Sequence, residues 1–181
     1  MNAYILVGGR SRRMGEPKTA VRFGDTTLLG RVFAAADGAF DRVIAVQRPG
    51  GDAVAIETIF EEPHADEAPI FGVAAAIRHA KAKCFVIAVD YPLLATEALR
   101  DLAERFEASV APMLVPVWNG VAQVLCAGYA PAILPEIDAG LAARKYDLQS
   151  LTSAADRIEV SGDTWRSVNT IEELEEVRAL I

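Results

Sequence analysis

Apolar residues fall along the chain in two alternating patterns. Short runs rich in Val, Ile and Phe occupy residues 3–7, 42–47, 55–60 and 84–89, several without polar alternation, as strands covered on both faces require. Between and after them, longer stretches at residues 27–36, 71–82, 96–106, 131–139 and 170–180 read as helices. Short strands alternating with helices predict an α/β domain on a mostly parallel sheet with crossover helices.

Local signals sharpen this outline. A turn at Gly24 and Asp25 precedes the first helix, and the last begins at Asn169 or Thr170 as N-cap with Glu172 and Glu173 in its first turn. Leu174, Val177 and Leu180 are expected to face the sheet. The stretch SVAPMLVPVWNGVAQVLCAGY, residues 109–129, breaks the rhythm: it reads as two strands joined at Asn119 and Gly120, a mixed, antiparallel extension of the sheet. No repeat, low-complexity block or linker divides the 181 residues, so one domain is expected.

Composition narrows the function classes. With 52% hydrophobic residues the chain can bury about 70% of its unfolded surface. Its net charge of −7, with no basic tail or helix face, argues against nucleic acid as a partner. Cys84 and Cys126 lie in apolar runs, and His64 and His79 stand apart, which favours buried thiols over disulfides or structural zinc. The apolar run at 3–7 is too short for a signal h-region, and the run at 110–118 is interrupted by Pro112 and Pro116. A soluble, cytoplasmic protein without membrane contact is expected.

Charge is unevenly placed. Residues 1–31 hold six of the 18 basic residues (Arg10, Arg12, Arg13, Lys18, Arg22, Arg31) against two of the 25 acidic ones (Glu16, Asp25), a net +4; the other 150 carry 12 and 23, a net −11. A compact anion at the N-terminal segment would reconcile the two.

That segment, YILVGGRSRRMGEPK, places two glycines directly after the first strand, where parallel α/β sheets bind ligands. Gly8 and Gly9 let backbone approach a ligand closely. Five residues separate Gly9 from Gly15, and Glu16 follows, so this is not a P-loop; no dinucleotide GxGxxG is present either. Arg12, Arg13 and Lys18 offer charge-assisted donors suited to a triphosphate. A solvated basic loop is the alternative on composition alone.

The spacing favours the first. Residues 6–29, LVGGRSRRMGEPKTAVRFGDTTLL, resemble the opening signature of the molybdenum cofactor guanylyltransferases (the molybdopterin-guanine dinucleotide biosynthesis protein A type), LAGG followed by S-x-RMG-x-x-K and later by LL. AVDYPLL resembles that family's CDMPFL, VNTIEEL its NTPEDL, PIFGVAAAIRHA its GPLAGILAALRHA, and QVLCAGY its QPLCALY. The order matches over most of the chain. Val7 replaces an Ala, Ala68 a Gly, Val124 and Ile171 a Pro, and Ser167 an Asn.

The resemblance implies a three-layer, Rossmann-like nucleotidyltransferase domain, with residues 1–95 mainly nucleotide-binding and 96–181 mainly acceptor-binding. It implies Mg2+-dependent transfer of GMP from GTP to the terminal phosphate of molybdopterin or its molybdenum-bound form, with release of pyrophosphate. Leu6, Val7, Gly8, Gly9, Arg12, Lys18, Glu62 and Asp90 are the implied nucleotide-binding residues. Arg13, Lys18 and Asp90 are the implied catalytic ones, with Asp90 on the metal. An isolated Asp before a residue and a Pro is otherwise a turn or cap residue. Glu61, Asp66 and Glu67 compete with Glu62 for contact with the base. Gln123, Lys145, Ser167 and Asn169 are acceptor-side candidates, though Asn169 could be only an N-cap and Gln123 only the end of a strand pair. A related transferase using CTP or another phosphorylated acceptor is one alternative, and a non-catalytic GTP-binding maturation factor another. Delivery of the product implies a transient molybdoenzyme or chaperone partner.

Overall fold

A computed structural model describes residues 1–7 and 18–180 of the chain. The first apolar run forms β1 (Asn2–Leu6). A small hairpin, β2 (Arg22–Phe23) and β3 (Thr26–Thr27), turns at Gly24 and Asp25 as expected. Thr27 then caps α1 (Leu28–Asp37), its side-chain oxygen accepting from the Gly30 N–H at 3.0 Å. Next come β4 (Val43–Gln47), β5 (Thr58–Phe60), α2 (Pro69–Ala80), β6 (Cys84–Ala88) and α3 (Thr96–Ala108). The chain continues through β7 (Met113–Trp118), β8 (Val121–Ala122), β9 (Cys126–Tyr129), α4 (Leu134–Ala142), β10 (Ala155–Val160) and α5 (Ile171–Arg178).

One sheet runs in the order β10-β7-β9-β6-β1-β4-β5, with β8 paired to β7. Neighbours are parallel except at β9, which lies antiparallel between β6 and β7, and at β8. The expected mostly parallel sheet with an antiparallel extension is the observed one. Asn119 and Gly120, both at positive φ (+49° and +78°), close the tight β7–β8 turn that the Asn-Gly pair predicts.

Alternation along the central strands builds the three layers. In β1, Ala3 and Ile5 pack under α1 and α3 with Val32, Phe85, Leu99 and Phe106. Tyr4 and Leu6 point the other way, with Ile44, Val46, Ile70, Val73, Ile77 and Val86 beneath α2. Both faces are dry, which is why these strands show no polar alternation.

Several expectations are corrected. The run at 55–60 pairs only over its last three residues; Val54 and Ile56 pack against the α1-side core instead of joining the ladder. The second arm of the 109–129 hairpin is two strands, because the chain turns at Gln123, whose carbonyl accepts from the Cys126 N–H, before entering between β6 and β7. β10 has no counterpart in the expected elements. Leu174 and Val177 are buried under α5, but Leu180 is half exposed, since the helix stops at Arg178.

Candidate functional site

At β1 the strand order reverses. The chain runs from β1 outward to β4 and β5, then crosses through α2 to β6 on the other side of β1. A crevice at such a switch point, beyond the carboxyl ends of the strands, is where open α/β sheets hold ligands. Leu6, buried, ends β1, and the Val7 N–H still donates to Val46 at 3.0 Å. Gly8, Gly9, Arg12 and Arg13, which follow, lie outside the described residues.

Asp90 follows β6 by two residues, fixed from both sides. Its carbonyl accepts from the Val168 N–H at 2.8 Å, drawing the segment before α5 against it. Its neighbour Tyr91 is buried, and the phenol donates to Gln123 Oε1 at 3.0 Å. Burial, then the neighbouring Cys126 and Asp90, push the Tyr91 phenol well above its ordinary range. The Cys126 thiol is pushed up as well, by burial and then by Asp90. Both groups therefore stay neutral, and among the described residues Asp90 pairs with one cation.

That cation is Lys18. Its Nζ donates to the Val168 carbonyl at 2.7 Å, to Asn169 Oδ1 at 3.1 Å and to Asp90 Oδ2 at 3.3 Å. The pair is mostly buried, with 19% of the Lys18 side chain and 17% of the Asp90 side chain exposed. Residues about seventy and one hundred and fifty positions apart thus converge on one ammonium group. The other carboxylate oxygen, Asp90 Oδ1, is buried with no hydrogen-bond partner among the described residues. A buried, acceptor-only oxygen without a donor is costly unless something positive meets it.

The sequence candidates separate into groups. Lys18, Asp90 and Asn169 come together, with Ser167 Oγ 3.5 Å from the Asn169 amide nitrogen. Asn169 is not the N-cap of α5: Thr170 is, in a capping box with Glu173, whose carboxylate also accepts from the Asn169 N–H at 2.6 Å. Gln123 is buried, its amide shared between Tyr91 and the Val121 carbonyl, to which it donates at 2.9 Å. Lys145 is exposed beyond α4 and, among the described residues, joins none of the Lys18–Asp90 contacts. Glu62 is exposed and lines a cavity of about 380 Å3 against α2, with Ile59, His64, Phe71, His79 and Leu141 among its walls. The Val168 carbonyl is a contact of Lys18 that no side-chain reading could find.

The site suits a hard cation with phosphates. Asp90 Oδ1 is an oxygen donor in want of a positive partner, and no cluster of three or more His, Cys, Asp or Glu side chains exists among the described residues. One carboxylate with the remaining ligands drawn from phosphate and water is the pattern of Mg2+ in nucleotide sites. No helix among the described residues is long and apolar enough to cross a membrane.

The family model described as MobA-like NTP transferase domain matches residues 3–159. A Thermococcus kodakarensis protein named "Probable molybdenum cofactor guanylyltransferase" is 29% identical, covering 99% of this chain and 95% of its own. The crystal structure of molybdopterin-guanine dinucleotide biosynthesis protein A from Archaeoglobus fulgidus superposes with a TM-score of 0.86 at 23% identity, over 99% of this chain and 98% of that one. A Mycobacterium tuberculosis H37Rv protein solved in complex with manganese has the same fold, with a TM-score of 0.69 at 18% identity over 98% and 97% of the two chains.

Proposed function

The chain belongs to the MobA-like NTP transferase family and is a nucleotidyltransferase; from that premise we propose that it transfers GMP from GTP to the terminal phosphate of molybdopterin or its molybdenum-bound form. The name of the Thermococcus relative supports both GTP and a molybdenum cofactor acceptor. The observation that carries the reading is the Lys18–Asp90 pair at the switch point, a fixed cation beside an orphaned carboxylate oxygen.

An acceptor phosphate oxygen attacks the α-phosphorus, the bond from that phosphorus to the β-bridging oxygen breaks, and pyrophosphate leaves. The nucleophile is already an anion, so no general base is needed. The obstacle is repulsion between a monophosphate and a triphosphate, about 1 kcal/mol per pair of unit charges at 4 Å in water and more where water is excluded. Lys18 supplies positive charge at the carboxyl edge of β6, and Arg12 and Arg13, outside the described residues, would add theirs. Asp90 would hold Mg2+, which when bound neutralises phosphate charge. Asn169, which accepts from Lys18, and Ser167 beside it would meet the acceptor.

Pyrophosphate release by the purified protein with GTP or CTP, with and without molybdopterin, tests the proposal. Release that requires GTP, the acceptor and a divalent cation is expected. Release with CTP but not GTP would overturn the base assignment, and tight GTP binding without any release would turn the protein into a binding module.

A further inference from the structure

Between β6 and α3 the chain makes a tight loop, residues 89–95, that carries Asp90. The segment before α5, residues 162–169, lies across this loop and is fastened to it at two points. At one, the Val168 N–H donates to the Asp90 carbonyl at 2.8 Å. At the other, the Thr164 hydroxyl accepts from the Ala95 N–H at 3.0 Å and donates to the Leu93 carbonyl at 2.7 Å. One side chain thus satisfies a donor and an acceptor of the loop backbone, and its single proton is spent on Leu93. Ala95, the N-cap of α3, makes no side-chain capping bond, so this end of the loop is held from the other segment.

Between the two points the segment is packed. Trp165 is 3% exposed and Val168 fully buried, in one apolar cluster with Tyr91 and Leu94 of the loop. Gly162, at φ +90°, brings the chain out of β10, and the Arg166 N–H returns to the Asp163 carbonyl at 3.0 Å to close a single turn. Ser167 and Asn169 follow within five residues of Thr164, and the Val168 carbonyl between them accepts from Lys18 at 2.7 Å. A shift of this segment therefore moves the acceptor-side groups and Lys18 together, relative to Asp90.

We infer that Thr164 is a positioning residue for the transfer step: its hydroxyl holds the segment bearing Ser167 and Asn169 in register with the Asp90 loop, so that the acceptor phosphate is aligned with the α-phosphorus. This rests on the guanylyltransferase reading. In-line displacement depends on the distance and angle between nucleophile and phosphorus, and a misplacement of about 1 Å can cost about 100-fold in rate. The Val168–Asp90 bond alone leaves the segment free to pivot about it. The attachment at Thr164, four residues away, fixes the angle that one bond cannot. With its proton given to Leu93, the hydroxyl acts through the segment and not on a substrate.

Thr164→Val keeps the branched shape and removes both bonds, whereas Thr164→Ser keeps both. In pyrophosphate release with GTP and molybdopterin, Thr164→Val should lose about 10- to 100-fold in kcat and raise KM for molybdopterin several-fold. KM for GTP should stay within about three-fold, since Leu6 and Val7 are tied to β4 through the Val7–Val46 bond and not to this segment. Thr164→Ser should recover most of the rate. A second readout needs no substrate. The chain has two tryptophans, and in a Trp118→Phe background the buried Trp165 reports whether the segment is docked. Thr164→Val should shift its emission to the red and open it to acrylamide in protein whose circular dichroism is native, and Thr164→Ser should do neither. A role in stability alone would lower the melting temperature and leave kcat, both KM values and Trp165 emission of the folded protein as in the wild type; that result overturns the inference. An equal rise in both KM values, or a Thr164→Ser enzyme no better than Thr164→Val, overturns it as well. A wild-type protein that releases no pyrophosphate from GTP and molybdopterin overturns the guanylyl reading instead, and the Trp165 signal shows independently whether Thr164 holds the segment.

Discussion

Breaking the Lys18–Asp90 pair separates its electrostatic contribution from its catalytic one. At the 3.3 Å separation, two unit charges attract by about 1 kcal/mol at the permittivity of water and about 5 kcal/mol at an effective value near 20. Both side chains are just under one-fifth exposed, so screening is partial, and desolvation offsets part of the gain. A coupling energy of about 1–3 kcal/mol follows. It can be read from a double-mutant cycle of Lys18→Met, Asp90→Asn and the double variant in urea denaturation without nucleotide. Each single change should destabilise the fold, Lys18→Met more, because it strands the Asp90 carboxylate. The double variant should be more stable than the sum of the two predicts. Under saturating GTP each single variant should lose at least about 100-fold in kcat, as when one preorganised donor is removed from a reacting oxyanion. Additivity within about 0.3 kcal/mol would show that the two side chains do not act on each other. A Lys18→Met enzyme that turned over at the wild-type rate would sink the assignment of Lys18 to the phosphates.

Tyr91→Phe should cost about 1–3 kcal/mol in chemical denaturation, because the buried Gln123 Oε1 loses its donor; a neutral result would mean that Gln123 is free to serve the acceptor. Thr170→Ala should lower stability by about 1 kcal/mol through loss of the α5 capping box, with a matching drop in melting temperature. Burial raises the Cys84 thiol from 9.0 to about 12 and raises Cys126 too. Above pH 9.0 the unfolded chain therefore gives up thiol protons that the folded chain keeps, so stability is full below that pH and falls toward about 12. Urea midpoints across that window should decline, and neither thiol should react with a maleimide at neutral pH until the protein unfolds.

Much of the fold was legible because the strands that matter are buried on both faces. The stretches at 3–6, 43–47 and 84–89 have no polar residue facing solvent to obscure them, and the Asn119-Gly120 turn needs the positive φ that its two residues tolerate best. β10 escaped notice for the opposite reason. It is an edge strand whose Asp156, Arg157 and Glu159 are exposed, and charge at an edge both protects the sheet and hides the strand. At the site, Asp90 was readable as a charge just past a strand, and Lys18 from its spacing after the two glycines. The burial of Glu61 rather than Glu62 was not legible, because adjacent residues leaving a strand point in opposite directions. Which one turns inward depends on Gly72, a residue on another element whose missing side chain makes the room.

The structure also narrows the charge argument drawn from the sequence. Six basic residues within the first 31 suggested a single anion-binding patch. Arg31 instead lies over the Phe23 ring at 5.7 Å, and the Arg22 carbonyl accepts from the Arg178 guanidinium, so both arginines belong to the exposed surface of the β2–β3 hairpin and α1. The positive charge that can meet phosphate is then Lys18, with Arg10, Arg12 and Arg13 outside the described residues. The fold grips Lys18 through two acceptors from the segment before α5 and one from Asp90. An ammonium group with three acceptors is fully engaged, since it has three protons to donate. A phosphate oxygen can be bound only in exchange for one of these contacts, and the weakest by length is the 3.3 Å bond to Asp90. Releasing that bond frees Oδ2 alongside the orphaned Oδ1, so the exchange that brings phosphate to Lys18 also presents the whole Asp90 carboxylate to an incoming cation.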